Sequence, residues 1–175
     1  ICCTATGSIR FTRQLRSTLR TLVASLLVLA ALAVVAVWVD RRAAGREASG
    51  EAAFPPLGQF VTLSDGTRVH ALVRGSGPDL VLIHGAGGNT REFTFDMVAD
   101  LSTRYRIIAL DRPGHGYTEQ PPGFGGLIDT TGESPARQAE MLSEAAALLG
   151  ADSPIVLGHS FGGAVALAWA LDHDA

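Results

Sequence analysis

The stretch "GHSFGG", Gly158 to Gly163, places a serine between glycines directly after the apolar run "PIVL". A serine hydroxyl is a weak nucleophile until a base removes its proton. A sharp strand-to-helix turn would expose that oxygen at a sheet edge and hold the serine at strained backbone angles. Such a turn needs small neighbours two residues before and two after, and Gly158 and Gly162 stand there. Gly163 is expected to let the following helix approach the sheet. The first N–H groups of that helix, at its positive dipole end, would face a developing oxyanion. Ser160 is thus the candidate nucleophile; the plainer alternative is a glycine-rich turn that serves packing alone.

Two further polar clusters follow apolar runs in the same way. "HGAGGN" begins at His84 and Gly85, after "LVLI". Its glycines would let backbone N–H groups point at a substrate oxygen. The N–H groups of Ala86 and Phe161 are the expected oxyanion donors, with Gly87 the next choice. His84 is expected to steady its own loop by hydrogen bonding. "DRPGHG" begins at Asp111, after "RIIAL". Pro113, Gly114 and Gly116 describe a tight turn, which Asp111 is expected to order, so His115 is not read as the serine's base. His159 adjoins the serine, but its side chain should point away from it.

These clusters need a frame that presents them together. "LVLIHG", "YRIIALD" and "PIVLGH" are continuous apolar runs, as in strands buried on both faces. "TREFTFDMVADLS" carries Phe93, Met97, Val98 and Leu101 at helical spacing. "SPARQAEMLSEAAALLG" is a helix with Ser134 as N-cap, Pro135 at its first position and Gly150 beyond its end. "SFGGAVALAWALDH" is the next helix. Ahead of these, "QFVTL" and "RVHALVRG" flank the turn "SDGT" and predict an antiparallel hairpin at a sheet edge. The alternation puts Val69, Ala71 and Val73 on one face and Arg68, His70, Leu72 and Arg74 on the other. Alternating strands and helices imply an α/β fold with a mostly parallel sheet and flanking helices. Ligands of such sheets bind beyond the carboxyl ends of the strands, where all three polar clusters fall.

The chain has 175 residues, 47% of them apolar, and no lysine. From Gly58 onward seven Arg face fourteen Asp or Glu, a net charge of −7. That acidity argues against a nucleic-acid partner. Cys2 and Cys3 form no disulfide framework or metal-ligand spacing. The first residue is Ile1, which suggests a fragment or a start upstream of the true one.

Residues 21–39, "TLVASLLVLAALAVVAVWV", contain no charge. As a helix they span about 28 Å, close to the roughly 30 Å hydrocarbon core of a bilayer. Residues 1–20 form a basic segment before this expected transmembrane anchor, and 40–57 read as a linker. The alternative is a cleaved signal peptide, with "ALA" at Ala31–Ala33 as its site, and hence secretion. Four Arg before the segment and three soon after it favour a cytoplasmic N-terminus. Ala24 and Val28 give little support to a helix-packing role.

Residues 58–175, through these three motifs in this order, resemble the N-terminal part of the α/β-hydrolase fold family. The resemblance implies a serine hydrolase acting on a small-molecule ester or similar acyl bond through an acyl-enzyme, with no metal or organic cofactor. It also implies a triad acid and base later in the chain than the serine. Only Asp172, His173 and Asp174 follow, some 18 Å along the helix by its rise per residue. The expectation is therefore an inactive, aggregation-prone fragment of a C-terminally truncated fold. Alternatives within the fold are acyl transfer, carbon–carbon hydrolysis and cofactor-free haloperoxidase chemistry; outside it, a non-catalytic binding module. Dehalogenases and epoxide hydrolases, which by the same resemblance use a carboxylate, are disfavoured by the serine. The loop Thr118–Glu133 is a possible entrance lining, or a plain surface loop.

Overall fold

A computed structural model of the chain describes residues 5–122 and 133–172. Cys2, Cys3, His173, Asp174 and residues 123–132 of the proposed entrance loop lie outside the described residues. The chain divides after Pro55 into two units.

The first unit is the helix α1 (Ala5–Ala53). Its part from Thr18 to Ala53 is long and apolar enough to cross a membrane, with a mean hydropathy of 2.9 in its most apolar window. A signal sequence near an N-terminus can also be apolar enough to pass for such a span. The side chains from Thr18 to Ala53 are all exposed. The segment expected as a linker is helical as far as Ala53. Arg, Ala and Glu favour helix without any apolar face, so the missing apolar period was the wrong criterion there. Pro55 and Pro56 follow, and a residue before proline is pushed out of the helical region.

The second unit is a five-stranded sheet of β1 (Gln59–Thr62), β2 (Arg68–Arg74), β3 (Asp79–Ile83), β4 (Arg106–Leu110) and β5 (Ile155–Gly158), in the order β1-β2-β4-β3-β5. Strands β4, β3 and β5 are mutually parallel, and β2 runs antiparallel to both β1 and β4. The hairpin forms as expected, but of its two strands β1 alone lies at a sheet edge. The second face of β2 is covered too, by Phe93 and Val98 near Leu72 and by Asp111 and Tyr117 at His70. Leu72 joins an apolar cluster and His70 is 1% exposed, where alternation had grouped it with Arg68 and Arg74.

Each central strand feeds two cores, as unbroken apolar runs require. Val81, Ile83, Ile108 and Leu110 face the helices α3 (Pro135–Leu148) and α4 (Phe161–Asp172), meeting Leu142, Val165 and Trp169. Leu80, Leu82, Ile107 and Ala109 pack on the other face against Phe93 and Val98. Ser134 caps α3 by accepting from the Arg137 N–H, and Gly150 beyond its end has φ +78°. The single helix expected around Phe93 is instead a 3-10 turn (Thr90–Phe93) and a short helix α2 (Met97–Leu101). Thr94 ends the turn by hydrogen-bonding Arg91 O, and side-chain bonding of this kind competes with a continuous helix.

Candidate active site

Strand β5 ends at Gly158 and α4 begins at Phe161, so two residues make the turn. Ser160 has φ +52°, the one positive value at a non-glycine among the described residues. The turn is closed by the Gly162 N–H to His159 O at 2.8 Å and the Gly163 N–H to Ser160 O at 2.9 Å. A side chain at Gly158 would collide with the Gly162 carbonyl, and one at Gly162 with the carbonyls of Ile83 and His84. Gly163 behaves otherwise than expected. A methyl there would meet only Gly158 O, at an ordinary 3.5 Å. The close approach of helix to sheet belongs to Gly162.

Ser160 is exposed, and its Oγ has no hydrogen-bond partner among the described residues. Beside it runs the loop after β3. A Cβ on Gly85 would lie 3.3 Å from Ser160 Cβ and 3.1 Å from His159 Nδ1, so loop and elbow are in contact. Gly87, with φ +70°, turns the loop back. Ala86 and Phe161 both line a cavity of about 610 Å³, together with Arg112, His115 and Gln138. Ser160 is not among its lining residues; its neighbour Phe161 is.

The histidines are engaged elsewhere. His84 is fully buried; its Nε2 accepts from the Arg112 N–H at 3.0 Å, so its Nδ1 carries the proton and donates to Gly85 O at 2.9 Å. Burial, assisted by the nearby Arg112 guanidinium, pushes this ring down to about 4 against the opposing pull of the Gly85 bond. It is neutral at neutral pH. His115 sits between the Pro113 carbonyl and Arg112 Nη2. His159 pairs with Glu92, whose other oxygen accepts from the Gly85 N–H at 3.3 Å. His70 donates from Nδ1 to Asp111 at 2.8 Å and accepts from the Gly58 N–H at Nε2. None of the four bonds to Ser160.

Asp111 organises its turn through both oxygens. Oδ1 accepts from the Thr90 N–H at 2.6 Å, and Oδ2 from His70 and the Tyr117 N–H. Burial alone would raise its pKa. The bonds from His70, Tyr117 and Thr90 outweigh that and hold it below the usual carboxylate range. Gly116, at φ +54°, packs on this carboxylate where a Cβ would overlap it, and Gly114 has φ +70°.

The residue that sequence reasoning missed is Arg112, 2% exposed. It donates to His84 O, Gly85 O and Gln138 Oε1, and its guanidinium carbon lies 4.8 Å from the Phe161 ring centre. Its signal was positional: a cation directly after a buried strand, at the sheet edge that carries the other motifs.

The arrangement offers an exposed hydroxyl beside a cavity that Ala86 and Phe161 line. Known proteins share its frame. A curated relative, haloalkane dehalogenase 2 of Mycobacterium tuberculosis, is 33% identical over 106 residues, 60% of this chain and 34% of the relative. The esterase of Exiguobacterium antarcticum superposes with a TM-score of 0.56 at 30% identity, over 66% of this chain and 40% of its own. A bacterial membrane phospholipase A does so with a TM-score of 0.58 at 28% identity, over 88% of this chain and 48% of its own. The chain spans about a third of the length of the curated relatives it matches. The family model described as alpha/beta hydrolase fold matches residues 78–175, more than half of the chain, which belongs to that family.

Proposed function

We propose that the protein is a serine hydrolase that cleaves an ester or similar acyl bond, with Ser160 as nucleophile. The observation that carries this is the φ of +52° at Ser160, held between two glycines that admit no side chain. A turn built for packing would place glycine at the strained position, since glycine adopts it without strain. Strain retained at a hydroxyl argues for a use of that hydroxyl. Attack on an acyl carbon places negative charge on the carbonyl oxygen, which the N–H groups of Ala86 and Phe161 receive. The acyl-enzyme that forms is then hydrolysed by water. The described histidines are occupied elsewhere, so the base is assigned to the later part of the fold, as the family resemblance implies. Serine rather than a carboxylate at the elbow favours acyl chemistry over the carbon–halogen chemistry named for one relative.

Residues 21–39 are assigned as a membrane anchor with the N-terminus in the cytoplasm. The likeness to the membrane phospholipase A supports the anchor, because 88% of the chain is more than the 120 residues after Pro55 supply; the orientation rests on the arginines that flank the segment. The test is fluorophosphonate labelling of the full-length protein. A label retained through an alkaline membrane wash and absent from Ser160→Ala is expected. Equal labelling of Ser160→Ala would sink the assignment of the nucleophile, and release of the label by the wash would sink the anchor.

A further inference from the structure

We propose that Arg112 is a positioning residue for the oxyanion hole: its guanidinium sets the direction of the Ala86 N–H. The inference rests on Ala86 being an oxyanion donor in the serine hydrolase reading above. The Ala86 N–H and the Gly85 C=O belong to one peptide unit. That unit is planar and trans, so the two groups point in opposite directions. Whatever fixes the Gly85 carbonyl therefore aims the Ala86 N–H.

Three donors converge on that carbonyl oxygen. Arg112 Nη2 and His84 Nδ1 each lie at 2.9 Å, and the Gly88 N–H at 3.2 Å. Arg112 Nε reaches the preceding carbonyl, His84 O, at 3.2 Å, so one planar fork spans two successive peptides. The fork is itself held. Nη1 donates to Gln138 Oε1 at 3.0 Å, and Gln138 Nε2 donates to Glu133 O at 2.9 Å. From the other side, Glu92 takes the Gly85 N–H. The loop gains from this support because its backbone is intrinsically loose. Gly85, Gly87 and Gly88 surround Ala86, and glycine restrains the backbone least. An oxyanion hole lowers a barrier only when its donors already point at the forming charge.

The same guanidinium lies over the ring of Phe161, whose N–H is the other expected donor. Arg112 thus bonds the peptide unit that carries one donor and packs on the residue that carries the other. It is poorly suited to bind substrate directly, since four of its five N–H groups are engaged within the protein. Lysine could not replace it, because a point charge cannot span two carbonyls and a glutamine at once.

The test uses the full-length protein and a neutral p-nitrophenyl ester, with Ser160→Ala measured alongside. Arg112→Lys is expected to lower kcat about 100-fold, the scale of one lost oxyanion donor. KM should stay within about threefold, because the effect arises only as charge develops. A trifluoromethyl ketone inhibitor, which forms an oxyanion adduct, should bind more weakly by the same factor as kcat falls. A folded Arg112→Lys with unchanged kcat, or with its whole effect in KM, overturns the proposal. If Arg112→Lys does not fold, Gln138→Met is read instead, since it frees the Arg112 fork from its anchor and leaves the donors to Gly85 O in place. There an about tenfold fall in kcat is expected, and an unchanged kcat overturns the proposal. Turnover that survives Ser160→Ala refutes the nucleophile assignment instead, and so separates the two failures.

Discussion

The Asp111 turn and the Ser160 elbow begin alike and end differently. Each follows a parallel strand, and each carries a histidine, glycines and one short polar side chain. In the first, Asp111 is fully buried and accepts three hydrogen bonds. In the second, Ser160 is exposed with its hydroxyl unclaimed among the described residues. Left-handed backbone falls on glycine in the first turn and on the serine in the second. The difference is one of use within the fold: the polar group of the first turn is consumed in holding it, and that of the second is left over, as the proposed nucleophile requires.

The largest effect expected is from Gly162→Ala. Its methyl would enter the carbonyls of Ile83 and His84, which are backbone and cannot rotate aside. A loss of about 3 kcal/mol or more is expected, at the upper end of overpacking costs. Denaturant melts of this variant would show it, and a loss below about 1 kcal/mol would mean that the elbow is looser than described.

Asp111→Asn comes next, at about 2–4 kcal/mol. The new amide must oppose either Thr90 or the pair of Tyr117 and His70, all of which donate. His70 cannot simply change tautomer, because its Nε2 accepts from Gly58. If the melt of Asp111→Asn matches the wild type, the turn is not ordered by this carboxylate.

Acid should act through His84 before it acts through Asp111. The unfolded imidazole binds its proton near 6.5, the folded ring only near 4. Stability is therefore full above pH 6.5 and falls as pH drops from there towards 4, by roughly 3 kcal/mol for this group. Asp111, whose folded pKa is lowered, adds a further loss as pH falls through and below the ordinary carboxylate range. Urea midpoints measured from pH 7.5 down to pH 4 test this; a level midpoint between pH 6.5 and 5 contradicts a buried neutral His84.

The smallest effect is the most pointed. Gly163→Ala adds a methyl that meets only Gly158 O at 3.5 Å, and alanine is the better helix former. A gain of up to about 0.5 kcal/mol is expected. A loss comparable to that of Gly162→Ala would erase the distinction between neighbouring glycines.

Much of the frame was legible because its signals are local. Unbroken apolar runs marked β3, β4 and β5; Ser134, Pro135 and Gly150 bounded α3; and the glycines around Ser160 marked the turn. Pairing was less legible. Whether His70 faces water depends on the turn at Asp111, 41 residues further on, packing against it, which no alternation in β2 itself reports. Arg112 is the sharper case. An arginine in a Pro-Gly turn reads as a solvated charge, and only the meeting of β3, β4 and α3 supplies the carbonyls and the glutamine that bury it. For the end of α1 the sequence pattern was silent: an exposed helix needs propensity rather than periodicity.

The left-handed backbone at residue 160 also sets which side chains evolution can try there. Asn and Asp enter that region more readily than most residues, whereas a β-branched side chain is an outlier in it. Threonine, the nearest chemical relative of serine, is therefore a poor replacement, while aspartate fits the same backbone with little added strain. In backbone terms, exchanging the hydroxyl for a carboxylate is a single-step change at this position, and the scaffold need not refold to accommodate it.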